Sequence, residues 1–394
     1  MKNGRDIREL AAELQAIKEG SHDYLAMAPQ LTMQADRTLR LGNRIQPFAV
    51  RPYAHGQIAA LAGIPKAYYD RMYTEAPDLL ARNVNQWFAT DRAKDKQLIR
   101  TVGTDVRAVL SDRFRALDNV DLAEAAIPEL TERGAVVQSC ELTETKFYLK
   151  ATLPTLRRAL GSNSPLPVGA QLATYEEIPN YAERKAENER RGFRVGDVVE
   201  AMLCLSNSEV GAGTLRIEWG TMTLACLNAL IIPGDGYKRY HVGRRAQHQD
   251  DDAVRALISD EARGAEDRAF WLKVRDLVRL AFNEERFNKH VAKLEGAQND
   301  PIAGDLAEVV ERVSERFSFS ESMGSSVLKH LINGGQLNRY GLLQAVTRAS
   351  ADVDDYDTAT DIERAGGEIL ELPRQDWLNL SGTRAVREVG AIAQ

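Results

Sequence analysis

The sequence predicts an α+β protein: a mostly antiparallel sheet with flanking helices, followed by a helical C-terminal region. Short segments rich in β-branched and aromatic residues recur between about residues 96 and 231, with turn residues between them. Apolar residues recur at helical spacing near the N-terminus. After residue 248 the pattern is helical for most of its length. These three observations divide the chain into parts at 1–90, 91–248 and 249–394.

The first part, residues 1–90, combines helices with short strands. Residues 4–19 show a helical repeat, and QLTMQA and RIQPFAVR alternate as strands do. Ile58 and Leu61 share a helical face, Gly63 ends that helix, and Pro65 begins another. This arrangement resembles a DNA-binding helix-turn-helix. However, the second helix, KAYYDRMY, has few groups suited to base edges, so its composition favours a packed helical pair.

The second part, residues 91–248, is rich in strands. The sequence predicts a hairpin around Gly103-Thr104-Asp105, a helix at about 119–133, and strands in AVVQSCEL and TKFYLKATL. Residues 155–195 form an excursion with loop residues and dense charge of both signs. We expect a solvated flap or an inserted helix there.

The glycines of EVGAGT lie between two strand-like segments, VGDVVEAMLCLSN and TLRIEWGTMTLACL. A phosphate-binding loop needs a helix after its glycines, because the N-terminal amides of that helix face the phosphate. Here the next segment is extended, and no Lys followed by Ser or Thr comes after Gly213. The glycines therefore predict a hairpin turn.

The third part, residues 249–394, predicts helices at about 303–317, 322–333 and 338–350. Its charge differs from that of the rest of the chain: the net charge of −6 divides into about +3 for residues 1–249 and −9 for the remainder. Such a division allows one face to bind an anion and another to repel it. Ordinary variation among solvated helix faces is the alternative.

The sequence predicts a cytoplasmic protein. The first twenty residues are charged and helical, unlike a signal peptide, and no run of 18 apolar residues occurs. Cys140, Cys204 and Cys226 are odd in number and form no CxxC pair, which predicts buried free thiols in a reducing compartment.

Two basic segments suggest a nucleic-acid interface. Residues 92–115 carry seven Lys or Arg against three Asp, and GYKRYHVGRRAQ at 236–247 is basic, with two interleaved tyrosines and no acid. Basic groups contact phosphates and aromatic rings stack on exposed bases, which is the combination that binds single strands. A solvated strand end is the alternative. The candidate nucleic-acid-binding residues are Arg100, Arg107, Arg113, Arg115, Tyr237, Lys238, Arg239, Tyr240, Arg244 and Arg245.

A metal site is a competing interpretation of the second segment. HVGRRAQHQDDD places His241 and His248 beside Asp250, Asp251 and Asp252, and such ligands hold divalent metals in phosphodiester cleavage. The spacing matches no closed ligand pattern, and aspartates also belong in the first turn of a helix. We therefore predict no metal, no cofactor and no catalytic residue.

Several motifs resemble one phage- and plasmid-associated family. They are QIAALAGIPKAYYDRM, APDLLARNVNQWF, VRAVLSDRFRALDN, LSNSEVGAGTLRIEWG with TLACLNALI, and YGLLQAVTRAS with ERAGGEIL. Together, over about residues 45–370, they resemble the family called domain of unknown function 932. The chain departs from it at Ala229, where a glycine is expected in the turn. The resemblance implies DNA metabolism of mobile elements and carries over no catalytic residue.

The first hypothesis is single-stranded DNA binding, in annealing or protection during phage or plasmid recombination or replication. The outline of a strand-rich body with a helical tail is similar to that of phage single-strand annealing proteins, which also suggests a homo-oligomer. The alternatives are a metal-dependent nuclease or phosphodiesterase, and a non-catalytic module that binds a host protein through the acidic C-terminal third. We expect no membrane partner.

Overall fold

The computed structural model describes residues 1–44, 46–90, 95–161, 171–174, 176–192, 197–241 and 260–382. The helices in these ranges are α1 (Ile7–Gly20), α2 (Pro52–Ala62), α3 (Lys66–Glu75), α4 (Pro77–Phe88), α5 (Asn119–Glu132), α6 (Tyr181–Arg190), α7 (Asp260–Ala281), α8 (Glu284–Gln298), α9 (Leu306–Phe317), α10 (Glu321–Gly334), α11 (Arg339–Ala349), α12 (Tyr356–Glu371) and α13 (Arg374–Leu380). The strands are β1 (Ser21–Met27), β2 (Leu31–Met33), β3 (Leu39–Leu41), β4 (Ala49–Val50), β5 (Lys96–Val102), β6 (Asp105–Ser111), β7 (Val136–Leu142), β8 (Phe147–Ala159), β9 (Val198–Asn207), β10 (Leu215–Thr223) and β11 (Asn228–Arg239). The α+β class and the helical C-terminal region are confirmed.

The N-terminal unit is a four-stranded sheet covered by helices on one face. Its strand order is β1-β5-β6-β4, and α2, α3 and α4 pack with the small β2–β3 hairpin into one apolar core between Ala26 and Val109. Gly63 ends α2 with a φ of +67°, which glycine adopts without strain, and Pro65 immediately precedes α3. Because Tyr69 and Met72 of α3 are buried, the two helices form a packed pair.

The second sheet is a five-stranded antiparallel meander, in the order β11-β10-β9-β8-β7. β9 and β10 pair directly, with Arg216 opposite Ser206, so the glycines of EVGAGT join strand to strand as predicted. β8 runs on to Ala159, so the start of the expected excursion is strand; within the described part of that excursion, α6 is the helix. Ala229 lies inside β11, and the adjacent turn instead uses Leu227, with a φ of +48°.

Helices cover both faces of the five-stranded sheet. Leu149, Leu203 and Ile217 belong to one large core with residues of α5, α7 and α8. On the opposite face, Lys150 contacts Thr360 and Glu363 of α12. The helices that begin at residue 260 therefore share a core with the strands.

The three cysteines are buried free thiols. Within the described ranges, no helix is both long and apolar enough to cross a membrane.

Candidate nucleic-acid interface

The two basic segments meet at Arg115 and His241, two residues that are 126 positions apart in sequence. The amide N of Arg115 donates to the carbonyl O of His241 at 2.7 Å, and Nδ1 of His241 lies 3.1 Å from the carbonyl O of Arg115. Burial lowers the pKa of His241, which favours the neutral ring with its Nδ1–H donated to that carbonyl. The ring also stacks on Phe114, with 4.9 Å between centroids. These contacts fix the end of β11 against the turn that follows β6.

Three exposed side chains and one half-buried arginine lie near this junction. The half-buried one is Arg216, whose guanidinium lies 3.6 Å from the carboxylate of Glu218. Tyr240 is 66% exposed, and Arg113 and Lys238 are also exposed. Arg216 of β10 lies opposite Lys238 in the strand register, so both side chains point to the same face of the sheet. Tyr240 follows Lys238 by two residues and continues this face. We call Arg113, Arg216, Lys238 and Tyr240 the basic patch.

The predicted residues Arg115, Tyr237 and Arg239 lie beside the patch and are half-buried. Arg115 pairs with Asp267 of α7, and its guanidinium lies 5.7 Å from the ring centroid of Phe270. Tyr237 packs against the large core, with Nζ of Lys273 4.9 Å from its ring centroid. Bound DNA would have to compete with these internal contacts of Arg115 and Tyr237, so these two residues support the surface from within.

Arg100 and Arg107 are not on the surface. Arg100 is buried and donates to Asp23 at 3.0 Å, to Asp118 at 2.8 Å and to the carbonyl O of Glu209 at 3.2 Å. Arg107 is buried and donates to the Glu209 carboxylate at 2.7 Å. Buried charges require such partners, because desolvation without them is costly. The prediction that these two arginines hold phosphates is therefore corrected: each is occupied inside the molecule.

Glu209 is the centre of this buried network, and it was not among the residues predicted from the sequence. Besides Arg107, the Glu209 carboxylate accepts from the amide N of Asn119 at 2.6 Å. Asn207 donates to the carbonyl O of Leu117 at 2.7 Å and to the side chain of Asn119 at 2.8 Å. The network thus joins RALDN to SNSE, two segments already present among the motifs that carry the family resemblance. The presence of both segments among these motifs was the available signal in the sequence, but it did not indicate that they contact each other.

A second basic surface, on α8, was also missed. A cleft of about 590 Å³ there is lined by Arg286, Lys289 and Lys293 at helical spacing. The Arg286 guanidinium lies 3.5 Å from the ring centroid of Trp219. Asp235 accepts from His290 at 2.7 Å, and burial lowers the pKa of this histidine. Glu285 and Glu371 pair with the two lysines, so the cleft is closer to neutral than its basic residues suggest.

Of the five residues of the alternative metal site, His241 is the one within the described ranges. His241 is buried, with its Nδ1 engaged by Arg115. His248, Asp250, Asp251 and Asp252 lie outside the described residues, as do Arg244 and Arg245 of the nucleic-acid prediction. Among side chains whose positions are described, no group of three or more His, Cys, Asp or Glu could hold a metal ion.

Comparison with known proteins adds no relative: no family model, curated protein or solved structure matches the chain.

Proposed function

We propose that the protein binds single-stranded DNA through the basic patch. The observation that supports this most directly is the junction of Arg115 with His241, because it joins the turn that contains Arg113 to the end of the segment that carries Lys238 and Tyr240. The patch offers cations for phosphates and one highly exposed aromatic ring for a base. Arg244 and Arg245 follow His241 directly in the chain and extend the proposal beyond the described residues.

A single strand fits this surface better than a duplex. Tyr240 can stack on a base only where that base is unpaired, whereas duplex readout uses a helix or ribbon inserted into a groove. Arg216 and Lys238 lie opposite each other on neighbouring strands, at the end of the β10–β11 pair, so both cations can contact one DNA backbone. The same proposal includes annealing or protection of DNA in phage or plasmid recombination or replication. It also includes self-association of the protein and its localisation in the cytoplasm.

The test is fluorescence anisotropy with a labelled oligothymidine over a salt series. The double variant Arg113→Ala/Lys238→Ala should bind more weakly and flatten the log–log salt slope by about 0.7 for each lost phosphate contact. Tyr240→Ala should instead cost about 1–3 kcal/mol for a stacked base and leave the slope nearly unchanged. These two signatures separate phosphate contacts from stacking.

The matched control is Arg133→Ala/Lys329→Ala, which removes two exposed cations outside the patch. It should leave both affinity and salt slope as in the parent. Equal effects of the two double variants would show that net charge, and not the patch, governs binding. A parent protein that binds no oligonucleotide even at low salt would remove the proposed function altogether.

A further inference from the structure

Strand β1 forms an open edge of the N-terminal sheet. All seven of its residues pair with β5 in an unbroken antiparallel register, from Ser21 opposite Val102 to Met27 opposite Lys96. Within the described residues no strand pairs with its other side. The amide of Met27 donates to the side chain of Gln30 and not to β5. In an antiparallel ladder every second residue of a strand points its N–H and C=O away from the neighbouring strand. The N–H and C=O groups of Leu25 and Asp23, two and four residues before Met27, therefore also point outward.

The other edges of the two larger sheets are short, covered or irregular in the part of the chain that the structure describes. β4 has two residues. The carbonyl O of Cys140 in β7 accepts from the amide of Arg5 at 2.9 Å. Gly367 of α12 packs closely on Ile231 of β11. After Ile231 the pairing of β11 with β10 has a register irregularity, and the remainder of the strand carries the exposed Lys238. Irregularities and lysines are features that protect an edge from pairing, and β1 has neither.

β1 also presents apolar side chains to solvent. Leu25 is 62% exposed and Met27 is 43% exposed, and both lie on the face of the sheet away from the helices. Leu25 continues a cross-strand row with Leu98 and Leu110. The charge of the strand comes from Asp23, which is already paired with Arg100 at 3.0 Å. Nothing in the strand therefore repels a second apolar strand.

We propose that β1 pairs antiparallel with β1 of a second copy of this chain. A two-fold axis at Leu25 sets Leu25 opposite its own counterpart and Met27 opposite Asp23, so no like charges face each other. Such an interface is self-complementary, as two-fold symmetry requires, and it joins two four-stranded sheets into one of eight strands. A copy of β1 supplies the same outward N–H and C=O groups at Asp23 and Leu25 and the same exposed apolar side chains at Leu25 and Met27.

The experiment is sedimentation velocity over a wide concentration series, without DNA, on the parent, Leu25→Lys and Leu280→Lys. Leu280 of α7 is a matched control because its side chain is 57% exposed. Leu25→Lys should raise the dimer dissociation constant about tenfold or more, because the pairing would set two lysines opposite each other. Leu280→Lys should associate as the parent does.

A parent that stays monomeric throughout would overturn the proposal, as would equal behaviour of the two lysine variants. Met27→Lys provides a second variant on the same strand and should weaken association in the same direction. Pairing through β1 rests on the self-association included in the proposed function, but it can be disproved without disproving DNA binding. The β1 variants should still bind one short oligonucleotide per protomer, so loss of DNA binding in the parent and loss of the dimer are distinct results.

Discussion

At the scale of single residues, the pair Lys150 and Glu363 has the most demanding environment. Both side chains have no solvent exposure, and Nζ of Lys150 donates to Glu363 at 2.6 Å and to Thr360 at 3.1 Å. The same Nζ lies 4.6 Å from the ring centroid of Tyr356. Each charge is tolerated because the other is present, so the pair links β8 to α12.

Lys150→Met should lower the free energy of unfolding by about 3–5 kcal/mol, because it leaves Glu363 buried without its partner. The double variant Lys150→Met/Glu363→Leu should recover much of that loss. Urea unfolding measures both. Lys66→Met serves as control, since its exposed pair with Asp70 should contribute less than about 1 kcal/mol. A single variant as stable as the parent would show that the pair does not hold α12 on the sheet.

Gly211 is the glycine of the EVGAGT loop whose conformation requires glycine. Its φ is +83°, and a Cβ built there would lie 2.6 Å from Cδ2 of Leu110. The nearest atom to a Cβ at Gly213 would be Cε of Lys146, at an ordinary 3.5 Å. The sequence could not tell these two glycines apart, because the requirement comes from local φ and from a leucine in another sheet.

Gly211→Ala should therefore lower the free energy of unfolding by about 1 kcal/mol or more, since alanine is strained at positive φ. Gly213→Ala should change it by less. Thermal or urea unfolding of the two variants checks the order. If Gly213→Ala proves the more damaging of the two, the loop has a different conformation. Addition of ATP should raise the melting temperature of neither variant, because the loop is a hairpin turn.

The arginines show how far residue-scale prediction from sequence can reach. Local charge density selected Arg100, Arg107 and Arg113 alike, yet the first two are buried and the third is exposed. Their difference depends on Asp23 and Glu209, which approach from distant parts of the chain. Arg216 was missed for the converse reason: only strand register shows that it shares a face with Lys238.

At the scale of elements, α12 shows why helices could be predicted from sequence while their partners could not. Periodic apolar residues and the N-cap Asp355, whose side chain accepts from the amide of Thr358, define the helix locally. Its position on the second face of the sheet depends on Gly366 and Gly367. A Cβ at Gly367 would collide with the carbonyl O of Ile231 in β11. The GG of ERAGGEIL is a close-approach site, and such contacts leave no periodic signal.

Replacing glycine by alanine in two helices should have opposite effects on stability. Gly367→Ala should destabilise the protein, because α12 would have to move away from β11. Gly296→Ala in α8 should stabilise it by about 0.5–1 kcal/mol, because beyond the adjacent residues and the backbone of its own helix no atom lies within 4 Å of the added Cβ, and alanine favours helix. Urea unfolding compares the two. Equal changes in the same direction would argue against close packing of α12 on the sheet.

At the scale of the whole molecule, the acidic C-terminal third is part of the folded body. Leu342, Ile369 and Leu380 share the large core with strands of the five-stranded sheet. Glu363 is the buried salt-bridge partner of Lys150. Removing the chain beyond residue 351 would therefore expose the sheet and leave Lys150 without that partner. The sequence showed the charge imbalance correctly but could not show that these helices are indispensable to the core. A test of their electrostatic effect must therefore keep them in place.

Neutralising exposed acids achieves this without disturbing the packing. Asp354 and Glu368 are exposed, the first just before α12 and the second within it. If the acidic region repels DNA, Asp354→Asn/Glu368→Gln should bind oligothymidine more tightly than the parent at low salt. The gain should decrease as salt rises, because the Debye length falls to about 8 Å at physiological ionic strength.

The control Glu9→Gln/Glu19→Gln removes two exposed acids from α1 and makes the same change in net charge. Anisotropy titrations at several salt concentrations compare the two pairs. A larger gain for the C-terminal pair would place the repulsion in that region, whereas equal gains would assign it to net charge alone and remove any specific role for the acidic third.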